Sequence, residues 1–415
     1  MPGVSSNGRR PRILVLNQYY WPGGEATAHL LTELCEALAR DYEVEVVTGV
    51  LHGHEDAPRD EERNGVRITR VSSTSYERSA IGRRAANYFS YLGSSLAHAL
   101  HAPEPDLVLC MTDPPIVGDL GVVVGRRFGA PVVVISQDVF PEIATELNRL
   151  RNPVVVGLLG GLVGAYLRRA DRIVAIGERM RERLEAKGAP AERLRVIPNW
   201  VDTREITPQP RDNPWAEKHG LVDRFVVMHS GNVGHAQDLD SLVRSATFLR
   251  DLDDLRIVVA GFGARHGEMV ALADRLEVLT TVRFLPYQKR ERLPLSLSSG
   301  DVHVVGLAKG LAGYVVPSRL YGILAAGRPV IVAADDDSET ARLVREVGCG
   351  IVIEPGRPEL LARTIRAAAE GEHDLAEMGR RGREYVEREA DRDVAMERYR
   401  ALVRELVGSG ARAAA

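Results

Sequence analysis

Two segments of the chain bring together residue types suited to a phosphorylated ligand. The first, His229–Ser230–Gly231–Asn232–Val233–Gly234–His235–Ala236–Gln237–Asp238, leads from an apolar β pattern into a helical one. Its glycines let a ligand approach the backbone closely. The second, Val316–Pro317–Ser318–Arg319–Leu320–Tyr321, leads through a helical pattern to Gly327–Arg328–Pro329–Val330. Ser318 falls where a helix should start, and the N–H groups of a helix N-terminus attract anions. Arg319 adds a permanent positive charge whose planar fork matches phosphate oxygens. A plain strand–helix loop and an N-cap followed by a surface arginine would account for the same residues in structural terms alone.

Two carboxylates stand in similar places. Asp113, in Thr112–Asp113–Pro114–Pro115, and Asp138, in Gln137–Asp138–Val139–Phe140–Pro141–Glu142, each follow a predicted strand. In a parallel sheet that is the edge at which ligands bind. Either could orient a hydroxyl or act as a general base, and helix capping or turn formation explains each of them equally well. Other chemistries find no support. There is no G-x-x-x-x-G-K-[ST] phosphate loop and no H-E-x-x-H. The first strand runs into Asn17–Gln18–Tyr19–Tyr20–Trp21–Pro22–Gly23–Gly24 rather than G-x-G-x-x-G, and Gly261-x-Gly263 lacks the third glycine, since His266 stands there. His52, His54, Glu55 and Asp56 read as a solvated loop, as do Asp335, Asp336 and Asp337, so no metal site is expected. Cys35, Cys110 and Cys349 are isolated, which fits a reducing compartment.

The elements that must position these residues follow from periodicity. Strands are predicted at Arg12–Leu16, Glu43–Thr48, Val66–Val71, Asp106–Cys110, Pro131–Ile135, Arg172–Ala175 and Leu194–Ile197. Helical patterns at Ala26–Arg40, Arg84–Leu100, Val117–Phe128, Val154–Arg169 and Arg179–Lys187 lie between several of them. Val201 to Pro214, with Pro208, Pro210 and Pro214, reads as a linker closing on an Asn213 N-cap. Beyond it strands at Phe225–His229, Arg256–Ala260, Val282–Leu285, Val302–Val305, Val330–Ala333 and Gly350–Ile353 alternate with helices again, and Asp374 to Val407 is helical and charged. This is an α/β protein of two Rossmann-like, doubly wound domains facing a cleft. The 415 residues, 45% hydrophobic and 27% charged, suffice for two cores and argue against disorder. With 54 basic against 57 acidic residues, nothing favours a nucleic-acid partner. Met1 to Arg10 reads as a disordered lead-in, and the uncharged stretch Pro153–Leu167 is too short to span a bilayer.

These motifs, in this order, resemble those of GT-B glycosyltransferases of family 4, in the branch that builds colanic acid, O-antigen and capsular polysaccharides. The resemblance rests on Gly231–Asn232-x-Gly234-x-Ala236–Gln237 and on Pro317–Ser318–Arg319–Leu320–Tyr321 before Ala325–Ala326–Gly327–Arg328–Pro329–Val330. Gln18–Trp21–Pro22, Asp113–Pro114, Gln137–Asp138, Ala170–Asp171 and Pro198–Asn199–Trp200–Val201–Asp202 agree, so that it covers roughly residues 12 to 407. It implies an N-terminal acceptor domain over 1–204, completed by a helix within 388–415 that crosses back to it, and a nucleotide-sugar domain over 205–387. It also implies that Gly231, Asn232 and Gln237 lie by the donor diphosphate, with Ser318, Arg319 and Leu320 opposite. Pro286 and Tyr287 would flank the base, and Gly23 and Gly24 would close over the phosphates. The family's E-x7-E pair falls on Tyr314 and Gly322, and its arginine and lysine after the first strand fall on Asn232 and Gln237. Positive charge then has to come from Arg319, helped by Lys309 or Arg265.

The resemblance implies transfer with retention, with no strong enzymatic nucleophile, from a nucleotide-diphosphate sugar to a glycan or polyprenyl-linked acceptor. Arg319 would stabilise the departing diphosphate, and Asp113 or Asp138 would orient the acceptor. A GT-B nucleotide-sugar 2-epimerase and a non-catalytic donor-binding subunit of a glycan assembly complex are the alternatives. A cytoplasmic location is expected, and the basic and aromatic stretch Arg83–Leu100, of the kind that lies on anionic membranes, would allow a peripheral position on the inner face of the cell membrane. Gly157, Gly160, Gly161 and Gly164 are expected to serve helix packing inside the domain. No cofactor is expected, since the nucleotide-sugar is a substrate, and the acidic runs are read as solvated. Activity is therefore expected to survive EDTA; loss on chelation with rescue by Mg²⁺ would overturn this reading.

Overall fold

The computed structural model describes residues 9–76 and 81–413. The first eight residues of the expected lead-in, and the side chain of Arg84, lie outside the description. The chain forms two units, one running to Pro198 and resuming at Ala395, the other spanning Asn199–Val394. The first holds β1 (Arg12–Leu16), α1 (Ala26–Leu38), β2 (Glu43–Gly49), β3 (Asp60–Arg63), β4 (Val66–Val71), α2 (Ile81–His101), β5 (Leu107–Met111), α3 (Val117–Phe128), β6 (Val132–Ser136), α4 (Glu142–Glu146), α5 (Pro153–Leu167), β7 (Arg172–Ala175), α6 (Glu178–Ala186) and β8 (Leu194–Val196). Among the described residues its sheet has the order β3-β4-β2-β1-β5-β6-β7-β8, parallel throughout except where β3 runs antiparallel to β4. Every residue of β1, β5 and β6 is buried, as central parallel strands covered on both faces require. β3, Asp-Glu-Glu-Arg, carries no apolar alternation and so gives no strand signal; as an edge strand its charges keep it from pairing further.

Connections in parallel sheets are right-handed. α1 joins β1 to β2 and lies on one face, whereas α2, α3 and α5 connect strands in the opposite direction along the sheet and lie on the other. α3 touches both α2 and α5. The stripe expected to face a membrane is divided. Tyr91 of α2 is fully buried, with its hydroxyl donating to Val47 O at 2.9 Å, and Tyr88 packs on Tyr19, Ala28 and Leu51, while Phe89 points outward. α5 departs further from expectation. Asn152 caps it and Pro153 takes its first position, but a side chain at Gly157 or Gly161 would meet open space. These glycines do not serve interior packing.

The second unit holds α7 (Pro214–Lys218), β9 (Phe225–Ser230), α8 (Leu239–Ser245), β10 (Leu255–Ala260), α9 (His266–Arg275), β11 (Val282–Leu285), α10 (Leu293–Ser298), β12 (Val302–Gly306), α11 (Arg319–Ala325), β13 (Val330–Ala333), α12 (Glu339–Val347), β14 (Gly350–Ile353), α13 (Pro358–Ala369) and α14 (Leu375–Glu389). Its sheet is parallel, in the order β11-β10-β9-β12-β13-β14. The expected linker is ordered. Asn213 caps α7 through Trp215 N and Ala216 N, and Arg211 pairs with Asp301 at 3.0 Å. The units divide earlier than residue 204, because Val201 bridges to Asp391 and Thr203 Oγ1 donates to Asp391 Oδ2 at 2.6 Å. α15 (Arg392–Ala413) starts in the second unit and belongs to the first from Ala395 onward.

One buried ion cluster holds the first sheet. Glu45 on β2 pairs with Arg12 on β1, and His98 Nε2 of α2 lies 3.2 Å from its other oxygen. Burial alone would raise the Glu45 pKa, but the His98 and Arg12 contacts outweigh it and hold it at about 2. Since this lies below the ordinary 4.5, the stabilisation is complete above pH 4.5 and is lost as pH falls toward 2. Glu45→Gln is expected to cost about 3 kcal/mol at neutral pH, in urea unfolding, by leaving Arg12 buried without its partner. The gap to wild type should shrink as pH falls through that range.

Candidate functional site

In each unit the strand order reverses beside the first strand, and such a switch point opens a crevice at the carboxyl ends. In the first unit it lies between β1 and β5. Residues after β1 and β5 meet there: Gln18 N donates to Asp113 O at 2.8 Å, and Thr27 Oγ1 of α1 donates to Asp113 Oδ2 at 3.1 Å. Asp138 follows β6, the next strand, and its carbonyl accepts from Ser136 Oγ at 3.0 Å. Gly23 is buried where a Cβ would come within 2.9 Å of Tyr20 O, while Gly24 is exposed with open space around it.

In the second unit the switch lies between β9 and β12. The loop after β9 is held on both sides. Gly231 N donates to Ala260 O, Val233 N to Phe262 O and Ala308 N to Ala236 O. Glycines on the neighbouring strands make room for it: a Cβ at Gly261 would stand 1.8 Å from Gly231 O, and one at Gly306 would stand 2.1 Å from Gln237 O. Gly231 itself has φ +132°, which a side chain would disfavour. Gln237 turns inward and its Oε1 accepts Gly234 N–H at 2.9 Å, so it braces the loop. Asn232 stays exposed, and among the described residues its main-chain N–H has no partner.

Arg319 opens α11 beside this loop, 3.8 Å from where a Gly231 Cβ would stand. Its Nη1 lies 3.1 Å from His229 Nδ1 and 3.0 Å from Nε2. His229 is fully buried, and its Nε2 is 3.3 Å from Asn232 O. Burial, then the charge of Arg319, pushes the His229 pKa well below its ordinary value, so the ring is neutral. A ring that donates from Nε2 to Asn232 O can accept from Arg319 at Nδ1. Burial draws the Arg319 pKa down to about 10, so it remains protonated at neutral pH. Among the described residues no carboxylate pairs with it, so this partly buried cation keeps its charge uncompensated by the protein. The sequence pattern singled out Arg319; His229, which opens the other of the two motifs, carried no signal of its supporting role.

Several expected contributors sit differently. Leu320 is a correction: its side chain is fully buried and its amide donates to Pro317 O at 3.2 Å, which leaves it nothing for a ligand. Ser318 adopts helical backbone angles and makes no side-chain cap, because α11 begins directly after it. Arg265 is bound to Asp240 at 2.5 Å and Glu268 at 2.7 Å, and Lys309 is exposed with its ammonium 3.6 Å from Glu354. Asp335 is not a solvated loop residue: its Oδ2 accepts Gly310 N–H at 2.7 Å. Tyr314 is half-buried, and a Cβ on Gly322 would touch only Leu297 and Ile206. Pro286 and Tyr287 extend beyond β11, and Tyr287 is 62% exposed. Continuing the Ala260–Leu285 register by two residues brings Phe262 level with Tyr287. Phe262 is 70% exposed, its ring 5.2 Å from that of His266. An aromatic inside a glycine pair after a strand was the available signal, obscured because Gly261-x-Gly263 read as a failed dinucleotide motif.

Residues 24–200 match the model of the glycosyl transferase 4-like domain, and residues 212–385 that of the glycosyl transferases group 1. A probable glycosyltransferase of Pseudomonas aeruginosa, WbjE, is 27% identical over 79% of this chain and 81% of its own length. The putative colanic acid biosynthesis glycosyl transferase WcaI of Escherichia coli K12 is 28% identical over 56% of this chain and 57% of its own. Anabaena HepE, solved with UDP-glucose, superposes with a TM-score of 0.72 at 16% identity, over 95% of this chain and 100% of that one. Two doubly wound units, each with its binding edge at a switch point, define the GT-B architecture. The chain belongs to the family 4 glycosyltransferases of that fold, alongside a relative named for colanic acid biosynthesis.

Because the β9 loop rests on Gly261 without clearance, Gly261→Ala is expected to push it outward. A thermal melt should show a loss of about 1–3 kcal/mol, and nucleotide affinity should fall with it.

Proposed function

We propose that this glycosyltransferase moves a sugar from a nucleoside-diphosphate donor to a glycan or polyprenyl-linked acceptor, with retention, in cell-surface polysaccharide assembly. The observation that carries the donor part is Arg319, a partly buried guanidinium without a carboxylate partner among the described residues, beside a glycine loop at a switch point. The diphosphate lies against Arg319 and the Asn232 amide. As the bond from the anomeric carbon to the diphosphate oxygen breaks, Arg319 meets the negative charge that gathers there. The acceptor hydroxyl bonds to the anomeric carbon on the same face, and its proton passes to the leaving diphosphate oxygen. Asp113 or Asp138 orients that hydroxyl. The base stacks between Phe262 and Tyr287, as the exposure of both rings supports. With Gly322 in place of a glutamate, the ribose is held without a carboxylate at that position.

A relative named for colanic acid biosynthesis supports the acceptor class, and the UDP-glucose complex of HepE makes UDP-sugars the first donors to test. A thermal-shift panel of nucleoside diphosphates is expected to give one clear stabiliser. Arg319→Ala should lower kcat/KM at least about tenfold by removing a charge-assisted bond, and Arg319→Lys should restore part of it. Wild-type kinetics in Arg319→Ala, or conversion of donor to an isomer without any acceptor, would overturn the reading.

A further inference from the structure

Tyr287 sits on a segment with few anchors of its own. Before it, Gly261 N donates to Leu285 O, and after it Arg292 N donates to Lys289 O. Between those two carbonyls, among the described residues, the hydrogen bonds are those of one side chain, Gln288. Pro286 has no N–H to give, so its carbonyl is its one main-chain handle. Tyr287 is exposed, whereas Gln288 next to it is only 7% exposed. The segment turns one residue out and the next one in.

Gln288 bridges two groups that demand opposite ends of its amide. Trp215 Nε1 donates to Gln288 Oε1 at 2.9 Å, and Gln288 Nε2 donates to Pro286 O at 2.6 Å. An indole nitrogen only donates and a carbonyl only accepts, so the amide has a single satisfactory orientation. Trp215 is held firmly in turn. It is buried in a cluster with Met228 and Val258, against which Leu285 at the end of β11 packs. Its helix α7 is capped by Asn213, whose Nδ2 donates to Leu295 O of α10 at 3.1 Å and to Ser299 Oγ at 3.0 Å. The tether thus runs from α10 through α7 and the Trp215 indole to the residue before Tyr287. The β9 loop and Arg319 are held by separate bonds.

We infer that Gln288 is a positioning residue for nucleoside recognition. By tying Pro286 O to the Trp215 indole it holds the Tyr287 ring ready to stack, and so contributes to affinity for the base and not for the diphosphate. A ring held in place beforehand costs less ordering on binding than a free one. The inference rests on the donor reading above. It gives Gln288 and Trp215, which lie outside both sequence motifs, a part in the site, and it brings the end of the expected linker to the nucleoside side.

Binding of UDP, GDP, ADP, CDP and inorganic pyrophosphate to the full chain is measured by calorimetry. Wild type should bind one of the nucleotides more tightly than pyrophosphate. Gln288→Met should weaken that nucleotide about tenfold and leave pyrophosphate unchanged. Trp215→Phe keeps most of the apolar fill and removes the indole donor; it should weaken the nucleotide about threefold in the same pattern, and it carries the test if the methionine variant does not fold. Action through Tyr287 has its own signature: in a Tyr287→Ala background, Gln288→Met should change nucleotide affinity by less than about twofold. Variants that bind the nucleotide like wild type, variants that lose pyrophosphate to the same degree, or full additivity with Tyr287→Ala would each overturn the proposal. Wild type that binds pyrophosphate as tightly as every nucleotide would overturn it while the phosphate part of the donor reading stands. Wild type that binds neither would overturn both.

Discussion

The second unit is organised around a guanidinium that cannot be neutralised from within. Arg319 stands at the carboxyl edge of the sheet against a histidine that burial keeps uncharged. A carboxylate in that position would have closed an ion pair and left no field for a ligand. The neutral imidazole instead orients the arginine without cancelling its charge. The β9 loop, the glycines that seat it and the start of α11 are all arranged so that this cation faces the switch point. The family's usual pair of basic residues on the loop is absent, with Asn232 and Gln237 in their places. In the function proposed above, the remaining arginine carries the electrostatic task, with the loop as its backing.

Much of this was legible in the sequence, for identifiable reasons. Parallel strands buried on both faces read as continuous apolar runs, so β1, β5 and β6 were found close to their observed bounds. Glycines and prolines placed the loops, and two motifs named the residues that flank the second switch point. What escaped were features set by tertiary context. The charged edge strand β3 has no periodicity to detect. Arg265 looked like a free helper because nothing local marks Asp240 as its partner. Leu320 lay inside the right motif but on the wrong side of the helix, since α11 turns it into the core. Periodicity also could not show that half of α5 lies outside the protein, because a helix apolar on every side presents the same pattern whether it is covered or not.

The two edges are built with different tolerance. In the second unit the backbone of one loop touches the alpha carbons of the strands beside it, and such a fit admits almost no substitution at Gly231, Gly261 or Gly306. In the first, Gly24 stands in open space and Asp113 is fixed by a hydroxyl and a main-chain amide. Under the proposed function, the tighter edge would hold the donor diphosphate and the looser one the acceptor.

The path of α15 also bears on how the protein is made. Its later turns, through Met396, Tyr399, Leu402, Val403 and Leu406, are buried in the first unit, and Arg400 donates to Ala37 O across most of the length of the chain. A ribosome delivers the first unit's strands early and its last helix at the very end. Until then that unit waits with an apolar seam uncovered, while the second unit has all of its residues and can fold first. The N-terminal half is thus the last to be finished, and a chain truncated by even a few turns at its C-terminus would fail at its beginning.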